Sequence, residues 1–310
     1  MTLALLFPGQ GSQFVGMGKE FSEHYPKARE IFTRAGSALQ EDLAHLCFSG
    51  PSDVLKRTEN AQPAILTVSV AIYEAIHTEL KLEPTALAGH SLGEYTALVV
   101  SGALDLESAV RLVRLRGKLM ESACPAGTGG MGAILGLTRP VVESLCREAC
   151  APGEVLVPAN FNSPGQIVIS GHKTAVSKAL KMAGERGAKA SLPLEVSGPF
   201  HSPLMQSVET GLREALGKIT YNDLRLPVVA NCTAEFYQDK SAIPELLAKQ
   251  VCHPVLWEDS ILTLKKSGVD QIIEIGPGRV LSGLTRRIDR NIQVANVENL
   301  ESLEKYKNRS

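Results

Sequence analysis

The stretch "TALAGHSLGEYTALVV", residues 85–100, sets a short apolar run, a glycine-flanked serine and a helix-forming run end to end. Gly89-His90-Ser91-Leu92-Gly93 fits G-x-S-x-G. As strand, turn and helix, the pattern requires a sharp, strained turn at Ser91, with small residues two positions either side so that strand and helix approach closely. The helix that follows then aims backbone N–H groups at the serine, where an oxyanion could be held. As an ordinary glycine-rich loop, the same residues leave Ser91 a plain hydroxyl. G-x-S-x-G arises often by chance, so partners elsewhere in the chain must decide.

Outward from this turn, strands and helices alternate. "LALLF", residues 3–7, reads as a buried strand closed by "PGQGSQ". Helical patterns fill roughly 16–80, with breaks expected at Pro26, Pro51 and Pro63. "LESAVRLVRLRGKLMESA", 106–123, is strongly periodic, and Asp105 is placed to cap it. Composition changes at "CPAGTGG", 124–130. Beyond it come strand "MGAILGL", helix "RPVVESLCREAC", strands "VLVPANF" and "QIVIS" around the turn "NSPG", helix "KTAVSKALKMAGERG" and strand "AKASLPL". That βαββαβ order is ferredoxin-like. It predicts an inserted α+β subdomain over 127–196 within a larger α/β domain formed by 1–126 and 197–310. The larger part ends with strand "QIIEIGP" and helix "RVLSGLTRRI", and its alternation predicts a mostly parallel sheet flanked by helices on both faces.

Composition bounds the function. At 310 residues, with 44% apolar and 21% charged, the chain is ordinary globular material with room for a large core. Lys and Arg number 32 against 33 Asp and Glu, which argues against a general nucleic-acid binder. The six cysteines form no C-x-x-C pair and share no metal-ligand spacing with the seven histidines. They read as small buried side chains of a reducing compartment, and no metal is expected. "MTLALLFPGQGSQ" has no basic start and too short an apolar run for a signal peptide, and no stretch approaches the ~20 apolar residues of a membrane span. The expectation is a soluble cytoplasmic protein. "GTGGMG", 127–132, matches G-x-G-x-x-G but precedes a strand instead of joining strand to helix, so a dinucleotide site fails on context. "EIGPGRVLSGL", 274–284, does join strand to helix; it reads as a structural turn or as a helix start able to hold an anion.

A serine nucleophile needs a base. His24, His45, His77 and His172 lie in or beside helical patterns, His253 precedes a proline, and His90 is expected to point away from Ser91. His201 sits in "SGPFHSP", bracketed by Pro199 and Pro203 directly after the insertion. It is either a general base on a rigid interdomain loop or a capping, solvent-facing imidazole. Arg116 is on the wrong face of its helix. At about 100° per residue it falls near the centre of the stripe Ala109, Leu112, Val113, Leu119, Met120, while Arg111, Arg114 and Lys118 are expected to face solvent. A buried guanidinium without an anion costs several kcal/mol. Arg116 therefore either pairs with a buried carboxylate or clamps a substrate carboxylate, for which its planar fork is suited.

Together these segments resemble the malonyl-CoA:acyl carrier protein transacylase family over nearly the whole chain. The motifs stand as "FPGQGSQ" at 7–13, "GHSLGEY" at 89–95, "RG" at 116–117, "NFNSPGQIVISG" at 160–171, "GPFHSPLM" at 198–205, "QVCHPVLW" at 250–257 and "EIGPGRVLSGL" at 274–284. The resemblance implies a hydrolase-like large domain with a ferredoxin-like insertion. It makes Ser91 the nucleophile and His201 its base, oriented by the backbone carbonyl of Gln250 instead of an acidic residue. The N–H groups of Gln10 and Leu92 would form the oxyanion hole, and Arg116 would hold the malonyl carboxylate. Gln250, Phe200 and Asn162 are carried over as substrate contacts, with Phe200 disfavouring bulkier α-substituted substrates. The implied reaction is ping-pong transfer of malonyl from malonyl-CoA to a phosphopantetheine thiol, with acyl carrier protein as partner, no cofactor, and a monomer as the default state. Lys173, Lys178, Lys181, Lys189, Arg286, Arg287 and Arg290 are candidate docking bases or simply solvated charges. A serine thioesterase or esterase, a non-catalytic carrier-docking module, and a stand-alone acyltransferase of a polyketide or polyunsaturated fatty-acid system remain open as alternatives.

Overall fold

The apolar segment Leu3–Phe7 becomes β1, an interior strand of a parallel sheet, in a computed structural model that describes residues 2–125 and 127–308. From β1 the chain runs through α1 (Lys19–His24), α2 (Pro26–Leu39), α3 (Leu43–Ser49), α4 (Ser52–Lys56) and α5 (Thr58–Ile76) to β2 (Ala86–Gly89), α6 (Leu92–Val100) and α7 (Leu106–Ser122). Next come β3 (Gly129–Leu135), α8 (Arg139–Ala149), β4 (Leu156–Ser163), β5 (Gln166–His172), α9 (Lys173–Glu185) and β6 (Ala190–Pro193). The chain closes with α10 (Gln206–Leu216), α11 (Ile243–Gln250), α12 (Trp257–Lys266), β7 (Gln271–Ile275), α13 (Val280–Ile288), β8 (Gln293–Val297) and α14 (Leu300–Lys307).

The first sheet has the order β2-β1-β7-β8, all parallel. Every residue of β1 is buried, which is why its sequence is continuously apolar and does not alternate. The second sheet, β4-β5-β3-β6, is antiparallel and has the ferredoxin-like strand order. Helices α8 and α9 pack on it around their own apolar cluster, including Ile134, Leu145, Ile169 and Leu180. The two parts touch where Phe161 N–H donates to the Val255 carbonyl at 2.9 Å and Val255 N–H to that of Ala159 at 2.8 Å. The expected chain limits at residues 1, 126 and 310 fall outside the described residues.

Three expectations are corrected. Pro63 does not break its helix: α5 runs through it. The missing donor would have served the Glu59 carbonyl one turn earlier, close to the helix start, and 16 of the 19 residues of α5 are buried, so packing outweighs one lost bond. The strand expected from Met131 starts at Gly129. Arg114 is buried, not solvated; it pairs with Glu41 and donates to the Asn60 side chain. Strand β8 and the helices α10 and α14 carry no motif, and α11 and α12 meet the segment 250–257 only at its two ends, so the sequence reading gives none of them.

Candidate active site

The turn after β2 is as tight as the glycine spacing demands. A Cβ on Gly89 would lie 1.9 Å from the Gly93 carbonyl oxygen, and one on Gly93 would lie 2.1 Å from that of Phe7. Ser91, between them, has φ 51° and ψ −102°, a left-handed backbone that costs a non-glycine residue about 1–3 kcal/mol. The loop after β1 is pressed on the same turn: a Cβ on Gly9 would meet the His90 carbonyl oxygen at 2.4 Å. Gln10 and Ser91 therefore sit side by side at the carboxyl end of the parallel strands, where open α/β sheets form ligand crevices. Leu92 is the first residue of α6, so its N–H has no acceptor within the helix.

His201 comes to this turn from the segment following the second sheet. Its Nε2 is 2.8 Å from Ser91 Oγ, and its Nδ1 is 2.8 Å from the Gln250 carbonyl oxygen. A carbonyl only accepts, so the proton sits on Nδ1 and Nε2 is free to accept from the serine. His201 too has a left-handed φ, 58°, and is 4% exposed. Burial, and next the charge of Arg116, push its pKa down to about 3. The imidazole is thus neutral across the physiological range.

Arg116 is 1% exposed. Its Nη2 donates to Ser91 Oγ at 3.0 Å and to Gln250 Oε1 at 2.9 Å, and its Nη1 donates to Gln62 Oε1 at 2.9 Å. All three acceptors are neutral, so no carboxylate is paired with it directly. Its Nε is buried and without a hydrogen-bond partner. The guanidinium sits 5.4 Å from the centroid of the Tyr95 ring.

Behind the turn lies a polar network. Gln250 Nε2 donates to the Ser91 carbonyl at 2.9 Å and to Glu94 Oε2 at 2.7 Å. Asn231 Oδ1 accepts from Ser91 N–H at 2.6 Å, and Asn231 Nδ2 donates to the Gly89 carbonyl at 2.7 Å. Asn231 N–H donates to Glu94 Oε2 at 3.0 Å, and the Tyr237 hydroxyl donates to Glu94 Oε1. Glu94 is fully buried; burial raises its pKa to about 7 against the hydrogen bonds from Tyr237, Gln250 and Asn231.

A cavity of about 360 Å³ opens over these groups, within the range of ligand sites. Gln10, Ser91, Arg116, Phe200 and His201 line it, with Lys56, His90, Met120, Met131 and Asn160, which were not foreseen as its wall. His90 was expected to point away; it lines the cavity, its Nε2 2.9 Å from Asn162 Oδ1. Asn162 is absent from the lining and reaches the site through His90; the strand register shifts beside it, between Phe161 and Ser163. Gln250 lies behind Arg116, outside the lining. Gln62, Glu94, Asn231 and Tyr237 were missed. For Gln62 and Glu94 a signal existed: each is a polar residue inside an otherwise apolar helical run. For Asn231 and Tyr237 we find none.

Comparison with known proteins shows what the chain is similar to. The family model for the acyl transferase domain matches residues 4–308. The malonyl CoA-acyl carrier protein transacylase of Bacillus subtilis is 45% identical over 302 residues, covering 97% of this chain and 95% of that one. The Escherichia coli transacylase of the same name is 46% identical over 285 residues, 92% of each. The crystal structure of the Clostridium perfringens transacylase superposes with a TM-score of 0.96 at 43% identity, covering 100% of this chain and 97% of that one. A malonyl-transacylase in complex with its type II PKS acyl-carrier protein superposes equally well, TM-score 0.96, at 41% identity over 100% of both chains.

Proposed function

The chain belongs to the acyl transferase domain family, and from that premise we propose that it transfers the malonyl group from malonyl-CoA to the phosphopantetheine thiol of an acyl carrier protein. Ser91 Oγ attacks the thioester carbonyl while His201 Nε2 takes its proton, at the 2.8 Å separation already present. The Gln250 carbonyl, accepting from Nδ1–H, stabilises the imidazolium that forms. The N–H groups of Gln10 and Leu92 hold the oxyanion, each worth about 3–4 kcal/mol of barrier in comparable sites. The thioester carbon–sulfur bond breaks, His201 returns the proton to the departing CoA sulfur, and a malonyl-serine ester remains. The carrier's thiol then attacks that ester, with His201 first base and then acid. The reaction as written uses neither metal nor cofactor. No helix among the described residues is long and apolar enough to cross a membrane, and supply of a cytoplasmic fatty-acid system suits such a chain.

The observation that carries the substrate choice is Arg116, a buried guanidinium donating to the nucleophile itself at 3.0 Å with only neutral partners. A malonyl carboxylate there supplies the missing anion. It also cancels part of the charge that depresses His201, so the correct substrate strengthens its own base. Phe200, 6% exposed on the cavity wall, restricts the space beside the acyl group. Arg116→Ala should lower acylation of Ser91 by malonyl-CoA at least about 100-fold, some 2.7 kcal/mol, while acetyl-CoA acylation is unchanged or faster. Intact-protein mass spectrometry of the acyl-enzyme reads both; equal loss on the two thioesters would remove the clamp. The likeness to a transacylase bound to a PKS carrier supports a second reading, supply of a polyketide system. Chasing the same malonyl-enzyme with holo carriers of either kind separates the two by rate.

A further inference from the structure

Glu94 touches neither the cavity nor the reacting atoms, yet Gln250 joins it to Arg116 and to the Ser91 carbonyl, and Asn231 joins it to the Ser91 N–H. It occupies the third position of α6, where a capping-box glutamate would reach back to the N–H of the capping residue. Here Asn231 takes that N–H instead, and Glu94 holds Asn231 by its backbone. On the other side, Glu94 and the Ser91 carbonyl are two acceptors facing Gln250 Nε2, which leaves Gln250 Oε1 to face Arg116. A flipped Gln250 amide would set oxygen against two acceptors and NH2 against a guanidinium. Glu94 thus fixes which end of that amide Arg116 meets.

We propose that Glu94 is the positioning residue of this site and the counter-charge of Arg116 in the empty enzyme, and that it takes up a proton when a substrate carboxylate reaches the guanidinium. The inference rests on the malonyl transfer proposed above. Arg116 is buried with neutral partners, and the Gln250 amide joins it to a fully buried carboxylate. One cation can balance one anion in such a site, and a second buried negative charge costs several kcal/mol unless neutralised. The proton comes from solvent and is taken on Glu94 Oε1, which leaves Glu94 Oε2 still accepting from Gln250 and Asn231. The titratable groups facing Glu94 are Tyr237 and Cys232 from the segment before α11, Tyr95 on its own helix and Arg116 on α7. Burial raises Tyr237, Tyr95 and Cys232, so none of the three ionises near neutrality. A pKa for Glu94 near 7 puts proton uptake within reach of an ordinary buffer.

The test uses Ser91→Ala, which binds but cannot be acylated, titrated with malonyl-CoA and with CoA by calorimetry in buffers of different ionisation heat, at pH values from 6 to 8. CoA carries the same phosphates, so the difference isolates the malonyl group. We expect malonyl-CoA to take up more protons than CoA, the excess reaching about half a proton near pH 7, approaching one towards pH 8 and vanishing at the acid end. In Ser91→Ala with Glu94→Gln, which keeps the amide's acceptor, the excess should vanish throughout. Tyr237→Phe removes a donor that favours the ionised carboxylate, and should move the window upward by about one pH unit. Equal proton counts for the two ligands, an excess that survives Glu94→Gln, or an unmoved window in Tyr237→Phe overturns the proposal alone. Failure of malonyl-CoA to bind at all overturns the function beneath it as well.

Discussion

Ser91 and His201 are 110 positions apart in sequence, and both hold a left-handed backbone that their residue types disfavour. Strain of this kind persists only where the surroundings over-determine it. For Ser91 the surroundings are Gly89 at the strand end, Gly93 in the first turn of α6 and Asn231; for His201 they are the neighbouring prolines and the Gln250 carbonyl. The pKa of about 3 at His201 has a kinetic consequence. At saturating malonyl-CoA, the single-turnover acylation rate should be flat from about pH 5 to pH 9, since the base is already neutral throughout. A fall centred near pH 6.5, the ordinary imidazole value, would contradict the burial argument. The same shift acts on stability. Between about 6.5 and 3 the unfolded chain protonates this histidine and the folded one does not, so its effect is to weaken folding as pH falls through that window.

Helix α7 shows what periodicity can and cannot tell. The stripe of apolar residues singled out Arg116 as buried, and it is. The same pattern put Arg114 in solvent, whereas α7 is covered on a second side by α2 and the start of α5, and Glu41 and Asn60 accept from its two terminal nitrogens. Spacing within one helix reports one face; the number of neighbours is set by the fold. Gly117, next to Arg116, lets α7 and α5 approach: a Cβ would lie 2.5 Å from the Glu59 Cα. Gly117→Ala should therefore destabilise the protein by about 1–3 kcal/mol, against the usual gain for alanine in a helix. Displacing α7 also pulls Arg116 from Gln62, so malonyl acylation should drop with it. Urea unfolding together with the acylation assay measures both effects, and a variant as stable as the parent would show that the helices can slide apart at no cost.

Across the whole molecule, the site is assembled from the loops after β1 and β2, the middle of α7, the segment leaving the second sheet and the end of α11. The second sheet steers that segment: a Cβ on Gly129 would meet Pro199 Cδ at 2.4 Å, two residues before His201. Gly129→Ala should slow acylation about tenfold or more by moving the imidazole off line, with binding of malonyl-CoA to the Ser91→Ala background largely retained. An unchanged rate would mean that His201 is positioned without help from the second sheet. The alternation of strands and helices, the two sheets, the sharp turn at Ser91 and the buried face of Arg116 follow from residues close together in the chain, because periodicity and turn chemistry are local. The arrangement of Gln250, Glu94, Asn231 and Tyr237 around that turn joins positions 137 to 159 apart. Which polar side chains meet at such separations depends on how the layers stack, and only the folded packing settled it.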